Sequence, residues 1–387
     1  MVPPAVEKEN NPFFQLSQDL EGDVLQPIWF ETAQEIEALF GSGSYPVYTV
    51  GRFRFHWFPT MADGRTRSRL AIFAFYLKTG FRVIRERRTE CIVAYSHMTT
   101  ALCGVLLKLA TGAKLICEVM IAPERTYLTD RARPRIADKF WHAYSTACLH
   151  LTILFSDRVH LLYAGQLSSY PLLRHKPSSV FHDFTLLAGV EKRVHTDDDH
   201  LYVLLAGYPW YRKGVDLAIA AFRRMAKDFP NANLKLVGHH TDGEPQRLAA
   251  GCAQIEVSKA VPHDEMMGIL SGAAIVVLPS RNEGLPRILI EAMAAGLPVI
   301  GSDIAGIPSF IHDGENGFLV PDGDVPALER RLRELLSDAA LRRRMGQRGY
   351  EIAQACLTEK TYVERFIRMI RDTVNREPLA QEEKEIS

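Results

Sequence analysis

The stretch that decides the fold is PSRNEGLPRILIEAMAAGLPVIGSDIAG, Pro279 to Gly306. It follows AAIVVLP, an apolar run without polar alternation, which reads as a strand buried on both faces. Pro286 stands where a helix can begin, because a proline in the first turn gives up no useful N–H. The helix should run to about Ala295, where Gly296 supplies a left-handed stop and Pro298 prevents continuation. The unit is strand, short loop, helix, strand.

Two carboxylates sit at chosen places in it. Glu283 falls in the loop at the carboxyl end of the strand, and Glu291 falls inside the helix, about one and a half turns after Pro286. Between them, free N–H groups near Gly284, Leu285 and the first turn at Pro286 favour a bound phosphate, helped by the helix dipole. One carboxylate on each side of an anion cradle suits a ligand with hydroxyls at both ends and phosphates between. A nucleotide sugar has that shape, with Glu291 accepting from ribose and Glu283 from the sugar. Spacing alone equally allows a solvated loop glutamate and a helix-surface glutamate.

EGLPRILIEAMAAGLPVIGSD, with Glu283 and Glu291 eight apart, resembles the E-x7-E signature of glycosyltransferase family 4, the retaining GT-B transferases. The resemblance covers Tyr202 to about Val320, and several matches occur in the family's order. LYVLLAG, residues 201–207, followed by YPWYRKGVDLAIAAFRRM, is similar to the family's strand, loop and K-G-x-D helix start. Lys213 matches the lysine that contacts the donor's phosphates, and a point charge beside a helix start suits a diphosphate leaving group. Arg212 is a second candidate for the diphosphate. NLKLVG ends at Gly238, a further candidate donor contact, and HHTDG takes the place of a glycine-rich turn near the nucleotide. That turn is not GxGxxG, which argues against a dinucleotide enzyme. IEVSKAVPHDEMMGIL resembles the strand and helix beside the base, with Lys259 where a glycine is common. GSDIAGIP and DGENGFLVPDGD resemble the family's closing glycine turns.

The resemblance implies an α/β GT-B fold of two Rossmann-like, doubly wound parallel-sheet domains facing a cleft. It implies transfer of a sugar, with retention, from a nucleotide-sugar donor to a glycan, lipid-linked or small-molecule acceptor. A UDP- or GDP-sugar is the favoured donor, and no cofactor and no metal is implied. His239 and His240 lack a second ligand pair at metal spacing. Among the implied catalytic groups are Glu283, Lys213 and His97, the last from CIVAYSHMT, which resembles the strand that often ends in His-x-His. Implied donor contacts are Arg212, Lys213, Gly238, Glu283, Gly284, Leu285, Pro286 and Glu291. The leaving phosphate itself can take the acceptor's proton.

The first half departs from the family. Its usual glycine-rich loop after the first strand is absent, since Gly41 and Gly43 come too late after Asp23–Phe30. The first unit is either altered or lost. The histidine expected to face the reacting sugar is Met120, and the arginine after the strand glycine is Tyr208. These departures keep open a non-catalytic sugar-nucleotide-binding partner protein, or another GT-B enzyme such as a sugar-nucleotide epimerase.

The chain has 387 residues, 47% hydrophobic and 24% charged, so two globular domains are expected. The expected division is 1–198, 199–358 and a crossover helix with charged tail at 359–387, with HTDDDH at 195–200 as hinge. Helices are expected over Glu31–Phe40, Arg69–Arg88, Thr99–Ala110, Val325–Leu336, Ala339–Gln354 and Thr361–Val374. First-half strands are expected over Asp23–Phe30, Pro46–Val50, 91–95, 113–119, 157–163 and up to Phe181, in an alternating parallel series. Glu118 can face either side of its strand.

Net charge is zero, which gives no argument for nucleic acid. Between Arg52 and Lys139, however, there are 17 basic and 7 acidic residues. Arg82, Arg85, Arg87 and Arg88 close one helix, while Arg52, Arg54, Arg65, Arg67 and Arg69 flank Phe53, Phe55, Trp57 and Phe58. That pattern reads either as a solvated face or as a patch for anionic lipid head groups, giving peripheral membrane contact. The six cysteines have no C-x-x-C spacing and read as buried free thiols in a reducing compartment. The start lacks an apolar signal core and no run approaches a bilayer span, so a cytoplasmic placement, peripheral on the inner face of a membrane, is expected.

Overall fold

The computed structural model describes residues 12–30, 47–61, 66–96, 98–120, 128–130, 132–182, 190, 192, 201–239 and 243–375. After a short helix α1 (Pro12–Leu16), β1 (Gly22–Phe30), β2 (Val47–Val50) and β3 (Phe53–Met61) form a three-stranded sheet in the order β1-β3-β2. β1 runs parallel to β3, but β2 and β3 are antiparallel, with Val50 opposite Phe53. The expected uniformly parallel series is therefore corrected here. Only Gly51 and Arg52 separate β2 from β3, and a link that short returns as a hairpin, whereas a parallel return needs a crossover of about a dozen residues. The expected helix Glu31–Phe40 lies outside the described residues.

β3 also corrects the reading of FRFHWF as an aromatic-basic surface. Alternation along the strand buries Phe53, Phe55 and Trp57 in a core, while Arg54 and His56 turn to Asp23 on the other face. Burial alone would raise the Asp23 carboxyl, but bonds from Arg54 at 2.8 and 3.1 Å and from His56 at 2.6 Å hold it below its ordinary value. Arg52 donates to the Gln18 carbonyl at 2.6 Å and is likewise occupied.

α2 (Thr66–Arg87) then leads to a four-stranded parallel sheet, β4 (Cys91–Tyr95), β5 (Lys114–Val119), β6 (Arg158–Leu161) and β7 (Ser178–Val180), in chain order. α3 (Thr99–Thr111) connects the first pair. α4 (Ile136–Phe155) connects the second and is a 20-residue helix that the sequence reading did not include. α5 (Gly165–Ser169) lies before β7. Glu118 faces inward, where its carboxylate meets His160 Nδ1 at 3.0 Å, and His160 Nε2 meets the Phe181 carbonyl at 3.1 Å. The thiols of Cys91 and Cys103 are pushed up to about 12 by burial, which makes them unreactive.

The second half is one fully parallel sheet of β8 (Leu201–Ala206), β9 (Ala232–Val237), β10 (Ile255–Ser258), β11 (Ile275–Leu278), β12 (Val299–Ser302) and β13 (Gly317–Val320). Its order is β10-β9-β8-β11-β12-β13. The connecting helices are α6 (Val215–Met225), α7 (Glu244–Ala249), α8 (His263–Gly272) and α9 (Arg287–Ala294). β8 and β11 bury Val203, Leu204, Leu205 and Ile275 to Leu278 completely, as expected for strands covered on both faces. α9 starts after Pro286 and is followed by Gly296 at φ 74°, as expected. α10 (Val325–Ser337) and α11 (Ala339–Cys356) complete this half, and Asp324 and Asp338 cap them by accepting from the N–H of Ala327 and Leu341.

α12 (Glu359–Asn375) then returns to the first half. Its Tyr362, Val363, Phe366, Ile367 and Met369 share a core with Phe53, Phe55, Trp57 and Phe181. The last helix thereby ties the two halves of the chain through one apolar cluster.

Candidate donor site at the switch point of the second sheet

The second sheet leaves β8 in one direction through β9 and β10, then restarts on the other side at β11. Loops after β8 and β11 therefore diverge, and the crevice outside their carboxyl ends is where ligands of such sheets bind. Both E-x7-E and K-G-x-D segments begin there.

Lys213, in the loop after β8, places Nζ 2.5 Å from Oε1 of Glu283, in the loop after β11. Ser280 Oγ donates to the same oxygen at 3.0 Å. Side-chain exposure is 16% for Lys213 and 8% for Glu283, so the pair sits in a wall of the crevice rather than in open solvent. The loops themselves are locked together. Gly214 has φ 69°, and a Cβ there would lie 2.0 Å from the Pro279 carbonyl oxygen, so only glycine allows this approach. The Arg281 N–H donates to the Arg212 carbonyl at 2.8 Å. The Arg281 guanidinium forks onto Asp216 at 2.8 and 2.7 Å and lies 3.9 Å from the Tyr211 ring centroid.

Ser280, Arg281 and Asp216 received no role from the sequence. A signal was present for the last two, since opposite charges occupy the two motifs that meet, but only the fold shows that they face each other.

Glu291 lies on the buried side of α9. Burial raises its carboxyl above the ordinary value, and the neighbouring charges of His263 and Arg287 pull it partly back. His263 opens α8, so the first residue of that helix is near enough for its charge to act on Glu291. Gly238 follows β9 directly and donates its N–H to the Ser258 carbonyl at 3.2 Å. Gly284 and Pro286 are buried and Leu285 is half-buried in the loop between the glutamates. His97 lies outside the described residues.

The first half touches the second beside this site. Arg212 Nη1 meets Asp130 Oδ1 at 3.0 Å, a bond between the loop after β8 and the segment before α4. A Cβ on Gly306 would lie 2.2 Å from the Gly284 carbonyl oxygen and 3.0 Å from Cδ1 of Tyr163, which puts that ring from the end of β6 against the Glu283 loop. His182 accepts or donates through Nδ1 at the Leu162 carbonyl, 2.8 Å away, with its ring edge-on to Phe310 of the second half. Burial lowers the His182 imidazole to about 4.

Residues 191–352 match the protein family described as glycosyl transferases group 1. An uncharacterized glycosyltransferase of Methanocaldococcus jannaschii is 29% identical over 179 residues, covering 44% of this chain and 49% of that protein. A D-inositol 3-phosphate glycosyltransferase of Streptomyces bingchenggensis is 29% identical over 172 residues, 41% of this chain and 38% of that protein. The chain thus spans less than half the length of these curated relatives. Among solved structures, sucrose-phosphate synthase of Thermosynechococcus elongatus superposes with a TM-score of 0.71 at 17% identity, covering 92% of this chain and 100% of that one. Anabaena HepE, solved with UDP-glucose, gives 0.65 at 13% identity, covering 95% and 96%. The chain has the two-domain, Rossmann-like α/β architecture of the GT-B glycosyltransferases, and its residues 191–352 match the glycosyl transferases group 1 domain.

Proposed function

We propose that this protein is a retaining, metal-independent glycosyltransferase of family 4 type that moves a sugar from a nucleotide-sugar donor, UDP- or GDP-linked, to a glycan, lipid-linked or small-molecule acceptor. The observation that carries the reading is the Lys213–Glu283 pair at the switch point of the second sheet. An ammonium and a carboxylate side by side offer one group for the diphosphate and one for sugar hydroxyls. Lys213, with Arg212 and the amides at Gly284 and Leu285, stabilises the charge that develops on the departing phosphate. Glu283 orients the sugar, and Glu291, within reach of the His263 charge at the start of α8, takes the ribose. The matched family and the UDP-glucose bound by HepE support a donor of this class.

The working division remains 1–198 for the acceptor side, 199–358 for the donor side and 359–387 for the return helix and tail. The excess of basic residues in the first half supports contact with an anionic membrane and a lipid-linked acceptor.

Thermal-shift screening against UDP-, GDP- and ADP-sugars, followed by product analysis, tests the reading. A stabilising donor that is transferred with its anomeric configuration kept supports it. Donor binding without transfer or hydrolysis refutes it in favour of a sugar-nucleotide-binding partner protein, and an altered nucleotide sugar in favour of an epimerase.

A further inference from the structure

α4 exposes the wrong residues for a helix facing water. Ile136, Phe140, Tyr144, Leu151, Leu154 and Phe155 are all exposed, with Ile136 at 89%, Phe140 at 65% and Leu154 at 56%. Their spacing puts them on one stripe, since steps of three, four and seven residues return to the same helix face. The opposite face, with Ser145, Cys148, Leu149, Thr152 and Ile153, packs on the parallel sheet. At about 1.5 Å per residue the stripe runs roughly 30 Å. It continues onto α3, whose Leu106 and Leu109 are also exposed. Lys108 of α3 donates to the Phe155 carbonyl at 2.9 Å, which sets the C-terminal turns of the two helices side by side. Monomeric surfaces seldom leave such a stripe uncovered.

The charges around it choose the occupant. Arg133, Arg135 and Lys139 are exposed at the N-terminal end of α4. The one acid on the helix, Asp138, is spent as a cap, accepting from the Arg135 N–H at 2.7 Å. α2, which packs on α3, exposes Arg82 and Arg85, with Glu86 among them and Arg88 just after it, a further excess of the same sign. A second copy of the chain would bring the same excess of cations to this face, whereas an anionic bilayer brings many opposite charges. We propose that the α4 stripe is the surface through which this protein lies on an anionic membrane, with the apolar side chains in the head-group region and the cations at lipid phosphates. No helix among the described residues is long and apolar enough to cross a membrane, so this is contact and not insertion across it.

This deepens the peripheral contact proposed above and rests on it, moving the inserting surface from the buried aromatics of β3 to α4. It also gives that contact a purpose. Arg135 is five residues from Asp130, which touches Arg212 at the donor site. A chain of five residues reaches at most about 18 Å. A bilayer under the N-terminal end of α4 therefore lies near the cleft mouth, where a lipid-linked acceptor must enter.

The test is co-sedimentation of the full chain with vesicles of phosphatidylcholine alone or containing phosphatidylglycerol. The expected result is binding only to the anionic vesicles, weakened by salt, since each cation at the surface contributes roughly fivefold. Ile136→Ser with Phe140→Ser should weaken binding about tenfold or more per side chain removed. Both positions are exposed, so the variant's melting temperature should match the parent. Val47→Ser, at an exposed position on β2, is the control and should bind as the parent does. If the parent ignores anionic vesicles, the stripe and the peripheral contact both fall. If the parent binds and the double variant binds equally well, only the α4 assignment falls. A dimer in the absence of lipid that the double variant abolishes overturns the proposal in favour of self-association.

Discussion

Removing Lys213 should cost both stability and chemistry, and the two can be separated. Its Nζ lies 2.5 Å from Glu283 Oε1, and both side chains are largely buried. Lys213→Met leaves a buried carboxylate that keeps Ser280 Oγ, at 3.0 Å, as a side-chain partner among the described residues. Breaking a buried pair from one side typically costs about 3–5 kcal/mol, because the other charge stays behind without compensation. Glu283→Gln should cost less, about 1–3 kcal/mol, since the lysine keeps partial access to water. The double variant removes both charges and should recover about half of the summed loss, giving a coupling of roughly 2–4 kcal/mol in urea unfolding at pH 7. Transfer should behave differently. If Lys213 meets the diphosphate and Glu283 the sugar, all three variants lose about 100- to 1000-fold in kcat, and the double variant regains none of it. A double variant that recovers both stability and transfer would show a purely structural pair. A Lys213→Met loss below about 0.5 kcal/mol would show that the pair is no more than a surface contact.

Three further outcomes follow from the same geometry. Gly214→Ala forces a left-handed alanine against the Pro279 carbonyl, so stability should fall by about 2–4 kcal/mol and the donor-induced melting shift should vanish; an unchanged melting temperature refutes the close approach. Glu291 is raised by burial, and if it takes the ribose as proposed it accepts hydroxyls most strongly when ionised, so donor affinity should decline on acidification at a higher pH than an ordinary glutamate titrates. Glu291→Gln should bind about tenfold more weakly with that pH dependence removed, as read by isothermal titration. His182 is lowered to about 4, so between its unfolded value near 6.5 and pH 4 the unfolded chain holds the extra proton. Stability is therefore complete above about pH 6.5 and falls by roughly 3 kcal/mol as pH drops to 4, a slope that His182→Gln should flatten in pH-dependent urea midpoints.

The second half was legible because its physics is local. IVVL and VLLA are continuous apolar runs, which only strands covered on both faces can hold in water, and Pro286 and Gly296 mark the ends of α9 in the sequence itself. The first half hid its structure in two ways. Phe53, Phe55 and Trp57 alternate with polar residues as a strand should, yet the arginines among them suggested a surface, and only α12, some three hundred residues later, supplies the apolar lid that makes them core. α4 went unread for the opposite reason. It is apolar on the face that packs and on the face that does not, so no 3.6-residue contrast separates inside from outside. The contact between Arg212 and Asp130 was beyond any local pattern, because it depends on how the two halves meet.

That last contact bears on how the site works. Arg212 was a candidate for the donor's diphosphate, yet here it is held by an acid of the first half, while Lys213 is held by an acid of its own half. The two cations therefore answer to different things. Lys213 keeps its place whatever the first half does, because the Gly214–Pro279 approach and the Arg281–Asp216 fork fix its loop to the Glu283 loop. Arg212 is held across the two halves, and if it meets the diphosphate as proposed, a donor entering the crevice competes with Asp130 for it. Donor binding and the contact between the halves would then be coupled through one guanidinium. Asp130→Asn should tighten donor binding by a few-fold, since the arginine is released without the loss of an ion pair. A donor affinity that is unchanged or weaker in that variant would show that Arg212 takes no part in binding the diphosphate.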